Sequence, residues 1–172
     1  MAEDLIVLDA WPLICYSGNQ QPSASAVEQI LEPNNPNPAI ISAVTLGEVY
    51  NATARERNYS YADWFITFLR QALTVDTVGT NEGIQAGWLK THYYMSLGDS
   101  YVAVSALRNN AVLWTGDAEL LFDGSPWKVR DLRDDTTRKH HESAIKAGTK
   151  KVGPRTNTTN QTPHSPIQLP NQ

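Results

Sequence analysis

Leu5-Ile6-Val7-Leu8-Asp9 is a run of four aliphatic residues closed by a carboxylate, and the fold is read outward from it. Four aliphatics with no polar residue between them describe a strand buried on both faces, and such strands belong to parallel sheets covered by helices. A second run, Ala39-Ile40-Ile41-Ser42-Ala43-Val44, has the same character, and a third, Ala111-Val112-Leu113-Trp114, ends in Thr115-Gly116-Asp117. Residues 73–78 alternate weakly as a short strand, and residues 127–132 fit an edge strand.

Helical patterns fill the intervals. Residues 11–16 open one, with Pro12 tolerated in its first turn. Ser25 is placed to cap a short helix ending near Leu31, and Pro33-Asn34-Asn35-Pro36-Asn37-Pro38 is a loop. Thr45 is expected to cap a helix running from Leu46 towards Arg57, with Glu48 in the position three residues on. Residues 61–73 carry Trp64, Phe65, Phe68 and Leu69 at helical spacing, residues 81–92 carry Ile84, Trp88 and Leu89, and a further helix spans 99–108. Trp64, Trp88 and Trp114 are assigned to the core. Strands alternating with helices predict a three-layer α/β/α sandwich around a mostly parallel central sheet.

The 172 residues suit one domain. Apolar residues at 41% and charged residues at 19% exclude a disordered or membrane-embedded chain. Neither a basic n-region nor a window of about 20 apolar residues is present, so a soluble, cytoplasmic protein with no membrane partner is expected. Cys15 is the single cysteine, which excludes an internal disulfide and a zinc site of several thiolates. With His92, His140, His141 and His164 far along the chain, Cys15 reads as a buried apolar residue rather than a nucleophile.

Charge is divided unevenly. Residues 1–133 hold eight Lys and Arg against fifteen Asp and Glu, a balance of −7, while residues 134–172 hold six against three, a balance of +3. The second stretch is poor in large apolar residues and reads as a basic, low-complexity and disordered tail, with at most a short helix near residues 140–147.

Two acids stand where strands meet their following loops, Asp9 and Asp117, at the carboxyl ends where open parallel sheets bind ligands. Glu48 and Asp99 start helices beside that edge. Taken singly, each acid has a structural explanation as a helix cap or a turn residue. Convergence is different: four carboxylates together repel one another unless a hard divalent cation holds them, which points to Mg²⁺ or Mn²⁺. Such an ion activates water and stabilises charge on a phosphodiester, so phosphodiester hydrolysis is the chemistry that fits.

The segments Leu5-Ile6-Val7-Leu8-Asp9, Thr45-Leu46-Gly47-Glu48-Val49, Leu97-Gly98-Asp99-Ser100-Tyr101-Val102-Ala103-Val104-Ser105-Ala106-Leu107 and Leu113-Trp114-Thr115-Gly116-Asp117-Ala118-Glu119-Leu120 resemble, in order and spacing, the PIN domain of VapC-type toxins. The resemblance covers about residues 4–132 and makes residues 1–133 the nuclease domain. It implies that Asp9, Glu48, Asp99 and Asp117 are catalytic and hold the metal, that Thr115 supports them through its hydroxyl, and that Glu119 is an outer acid. It further implies endonucleolytic cleavage of RNA, dimerisation and inhibition by a cognate antitoxin. One departure stands out: where the family carries a small hydroxyl residue two positions after the first aspartate, this chain has Trp11.

Other readings compete. A PIN-like module that binds RNA or protein without cleaving is favoured by Trp11-Pro12 and by the −7 body, a poor trap for a polyanion. A phosphatase of the haloacid dehalogenase type needs a second acid two residues after Asp9, where Trp11 stands, and no phosphate-binding glycine loop follows any strand. Trp11 as a stacking platform for an RNA base ranks below Trp11 packed beneath the first helix. Arg55, Arg57 and Arg108 are the arginines considered for lining a groove.

Overall fold

Val7 and Leu8, both fully buried, are neighbours in β1 (Ile6–Leu8) and point to opposite faces, as successive residues of a strand must. β1 runs parallel to β2 (Ile40–Ser42) on one side and β4 (Val112–Thr115) on the other, with Val7 level with Ile40 and Leu113, and Leu8 level with Ile41 and Trp114. The computed structural model describes residues 4–33, 35–36 and 39–156. Within them, β3 (Thr74–Asp76) pairs with β2 and β5 (Lys128–Asp131) with β4, giving a five-stranded sheet of order β3-β2-β1-β4-β5 in which every pairing is parallel.

The two rows of side chains face two helical layers. Leu8, Ile41 and Trp114 share a core with Leu13 of α1 (Ala10–Ser17), Val27 of α2 (Ser23–Ile30), Val49 of α3 (Ala43–Glu56), and Phe65 and Leu69 of α4 (Tyr59–Ala72). Val7, Ile40 and Leu113 share the other with Ala86 and Leu89 of α5 (Thr80–His92) and Val102, Ala103 and Ala106 of α6 (Leu97–Arg108). The architecture is therefore the three-layer α/β/α sandwich, with aliphatic strands unbroken by polar residues because each is covered twice. Among the described residues no helix is long and apolar enough to cross a membrane.

Several boundaries differ from the sequence expectation, for local reasons. The strand predicted to reach Val44 stops at Ser42, whose hydroxyl accepts from Val44 N and caps α3. Thr45, expected as that cap, lies inside the helix and is fully buried. Trp64 is 58% exposed, not core; the buried stripe of α4 is Ala62, Phe65 and Leu69, and Trp64 stacks on Phe68 along its flank. Beyond β5, α7 (Asp135–Lys146) is longer than the short helix expected there, begins on an Asp134 cap, and buries no residue. The tail beyond residue 156 lies outside the described residues.

Chain order makes the ends of β1 and β4 a special place. From β1 the chain steps outward to β2 and β3, then crosses back to β4 on the opposite side of β1. Connections after β1 and β4 therefore diverge at the carboxyl end of the sheet, the kind of switch point at which open parallel sheets bind ligands.

Candidate active site

Asp9 directly follows β1 and caps α1, its Oδ1 accepting from Ala10 N at 2.7 Å. Its Oδ2 accepts from Thr115 Oγ1 at 2.7 Å. Thr115 is the last residue of β4, and the same Oγ1 accepts from Asp117 N at 2.9 Å. One buried hydroxyl thus ties the two strand ends together and sets the direction of both aspartates. Burial, then the charge of Asp99, push the Asp9 carboxyl up to about 7 against the opposing hydrogen bonds from Thr115 and Ala10.

Glu48 projects from α3 against the start of α6. A Cβ on Gly98 would overlap the Glu48 carboxylate, so a side chain there would push that carboxylate aside. Burial, followed by Asp99 and Asp117, raises the Glu48 carboxyl to about 7. Asp99 is the third residue of α6: Ser96 Oγ accepts from Asp99 N, and Asp99 Oδ2 accepts from Ser96 N, both at 3.0 Å. Ser96 N also donates to Glu119 Oε2 at 3.1 Å. Burial, and next a side-chain hydrogen bond with Asp99, raise the Glu119 carboxyl to about 6. Asp117 Oδ1 accepts from Glu119 N at 2.9 Å.

Asp99 and Asp117 therefore stand near enough to raise Asp9, Glu48 and Glu119, yet among the described residues no three Asp, Glu, His or Cys side chains are grouped so as to hold a metal ion. Local partners account for this: Asp9 commits both oxygens, and Asp99 and Asp117 each commit one. The donor set nevertheless fits a hard divalent cation. It is all oxygen, with no thiolate or imidazole, and burial and the charges of neighbouring acids raise Asp9 and Glu48, which a cation would offset. The Thr45 hydroxyl, one turn before Glu48 on α3, is buried with no partner among the described residues.

The family model of the PIN domain matches residues 6–123. This chain belongs to the PIN-domain family. Solved structures sharing its fold include a toxin–antitoxin complex from Klebsiella pneumoniae (18% identity, TM-score 0.58, covering 75% of this chain and 98% of that one). VapBC-1 from nontypeable Haemophilus influenzae aligns at 24% identity and TM-score 0.54, covering 74% and 98% of the two chains. VapC20 of Mycobacterium tuberculosis, described as a sarcin-ricin loop cleaving toxin, aligns at 17% identity and TM-score 0.53, covering 70% and 91%. Comparison with curated protein sequences gave no match.

Two further residues of this PIN-domain protein shape the site, Lys150 and Trp11. Lys150, beyond the matched residues, brings its Nζ to 3.2 Å from Asp117 Oδ1 and 3.9 Å from Glu119 Oε1. Sequence reasoning missed it; the one available signal was the sign reversal of charge after residue 133. Trp11 lies over the loop after β4, where a Cβ on Gly116 would overlap its ring. Gly116 is thus the residue that admits the indole, and the ring face towards β4 is taken up by protein. Arg57 and Arg108 are committed elsewhere: Arg57 donates to Ser17 O and covers the Tyr61 ring, and Arg108 pairs with Asp76 and Glu82.

Proposed function

We propose that this PIN-domain protein is a metal-dependent endoribonuclease and the toxin of a type II toxin–antitoxin pair. The observation that carries the reading is the gathering of acids at the switch point of a parallel sheet, where burial and the charges of Asp99 and Asp117 raise Asp9 and Glu48. Asp9, Glu48, Asp99 and Asp117 are the residues that would hold Mg²⁺ or Mn²⁺. When bound, the ion would supply a water of lowered pKa and charge stabilisation at the scissile phosphate. Thr115 holds Asp9 and the amide of Asp117 in fixed relation, and Glu119 braces the start of α6 through Ser96 N. The likeness to solved toxin–antitoxin assemblies supports a cognate antitoxin as protein partner, and a homodimer is proposed as the working unit.

The test is cleavage of a pool of single-stranded and structured RNA with Mg²⁺, Mn²⁺ or EDTA, with Asp99→Asn beside the wild type. Asparagine still presents an oxygen to Ser96 N and so keeps the cap, but it removes a charged ligand. Metal-dependent cutting by the wild type, reduced at least about a hundredfold in the variant, is expected. Undiminished cutting by Asp99→Asn would overturn the assignment. A second reading, a binding module that does not cleave, draws on Lys150, whose ammonium already neutralises Asp117. Folded wild type with neither a saturable Mn²⁺ site nor cleavage would favour it.

A further inference from the structure

The acidic cluster poses an electrostatic problem for the function just proposed. A nuclease must bring a polyanion to its metal site, yet residues 1–133 carry −7. The arginines of α6, the β5 end and α7 do not answer it, because Arg108, Arg133 and Arg138 pair with Asp76, Glu82, Asp131 and Asp135.

Cations do reach the site from the other side, on residues 148–156. This segment follows α7 and is fixed to the body by backbone hydrogen bonds. Tyr94 N donates to Gly153 O at 2.9 Å, Arg155 N donates to His92 O at 2.7 Å, and Tyr93 and Pro154 form an antiparallel bridge. Gly148 and Gly153, at φ 71° and 83°, make the turns that bring it back. Its position is therefore set largely by main-chain pairing to the end of α5 and the residues after it.

What the segment presents is a row of positive groups bordering the acids. Lys150 touches Asp117. Lys151 Nζ lies 5.5 Å, and Arg155 Cζ 4.6 Å, from the centre of the Tyr94 ring. Arg155 Nε donates to the carbonyls of Lys90 and Tyr93, which orients the guanidinium while its remaining N–H groups are separate donors. The row lines an open cleft of about 370 Å³ together with Tyr94, Ser96 and Glu119, and Glu119 is the member of the acidic group that borders it.

We infer that residues 148–156 form a phosphate-binding rim for single-stranded RNA, with Lys150, Lys151 and Arg155 taking the phosphates that flank the acidic cluster. This rests on the ribonuclease reading for its substrate class. The rim lies outside the matched PIN residues 6–123. Lys150 stands at the join, held by Asp117 in the free protein and close enough to the cleft to meet a strand entering it. Spaced cations beside an aromatic ring suit a flexible sugar-phosphate strand, whose bases need not be read.

The test is binding of a labelled mixed-sequence single-stranded RNA by full-length protein in EDTA, followed by anisotropy over a series of KCl concentrations. The parent is Asp99→Asn, so that cleavage does not intrude. Each phosphate contact contributes about 0.7 to the slope of log affinity against log salt for single strands, so removing three lowers the slope by about 2. Lys150→Gln/Lys151→Gln/Arg155→Gln is expected to show that change and to bind at least about tenfold more weakly at low salt. Because Arg155 also fixes the segment, Lys151→Gln alone is the second variant; it leaves every backbone bond in place and lowers the slope by about 0.7. Unchanged affinity and slope in both variants overturn the rim, as does tighter binding, which would make the segment a plug over the acids. Failure of the parent to bind RNA also overturns it. Wild type that cleaves while the variants bind like the parent leaves the nuclease standing without the rim; a working rim on a protein that never cleaves leaves the reverse.

Discussion

Asp9 and Asp76 both close strands of the same parallel sheet, and both gather carboxylates around them, but the two groups are built differently. At the β3 edge, Arg108 lies between Asp76 and Glu82, Ser105 Oγ donates to Asp76 Oδ2 at 2.6 Å, and Asn109 Nδ2 approaches the same oxygen at 3.4 Å. A backbone hydrogen bond first, and then the one from Arg108, hold the Glu82 carboxyl below its usual range. At the switch point the acids outnumber their cation: Asp9 and Glu48 are pushed up to about 7, and Lys150 serves Asp117 and Glu119. A neutralised set of acids holds a fold together, whereas a set short of positive charge is a binding site awaiting one.

The sharpest way to break this contrast is to remove the charge at its centre in each place. Arg108→Ala leaves Asp76 and Glu82 without their counter-charge and is expected to cost about 2 kcal/mol of stability, below the full penalty of a buried pair because the guanidinium is 30% exposed. Cleavage per folded molecule should persist. Asp9→Asn is expected to do the opposite, abolishing cleavage without lowering the stability of metal-free protein. Urea unfolding beside the cleavage assay reads both, and a stable Arg108→Ala or a strongly destabilised Asp9→Asn would erase the distinction.

A smaller effect follows from pH. Asp9 has its native pKa above its unfolded value near 4, so the native state holds the proton more tightly between about pH 4 and 7. In that window the unfolded chain releases its proton first, and the contribution of Asp9 to stability falls as pH rises, levelling off above 7. Metal-free wild type should therefore lose stability relative to Asp9→Asn at roughly 1 kcal/mol per pH unit across the window. Mn²⁺ should reverse the trend at neutral pH by binding the ionised native carboxylates, and a flat difference between the two proteins would show that burial does not perturb Asp9.

How much of this was legible in sequence depends on what a residue's partners are. Leu5-Ile6-Val7-Leu8 and Val112-Leu113-Trp114 announced buried parallel strands because double-sided burial leaves no polar alternation, and the aspartates following them then had one possible location. Trp64 was misread because helical spacing cannot tell how wide the buried stripe is; Phe65 beside it is fully buried. The cap of α3 was misplaced because Ser42 and Thr45 offer the same chemistry three residues apart. Lys150 was illegible for a different reason: its partner Asp117 lies 33 residues away, and a charge carries no address until the backbone bonds at Tyr94 and Arg155 supply one.

The finest comparison is between two hydroxyls that each donate to an aspartate. Ser105→Ala removes a donor from Asp76, but Arg108 and Asn109 still serve that carboxylate, so the expected cost is about 1 kcal/mol with no change in cleavage. Thr115→Val keeps the shape of a fully buried side chain and removes the donor to Asp9 together with the acceptor for Asp117 N. Its stability cost should be about the same order, roughly 1–2 kcal/mol. Its functional effect should differ, because the lost hydrogen bond was holding the Asp9 carboxyl down and aligning it with Asp117. A higher metal concentration should be needed for half-maximal cleavage, and Mn²⁺, the more tightly bound ion, should recover more activity than Mg²⁺. Calorimetric titration of Mn²⁺ into the folded variant checks this without reference to turnover. Equal metal affinity in Thr115→Val and wild type would reduce the Thr115 bridge to a packing role at the strand ends.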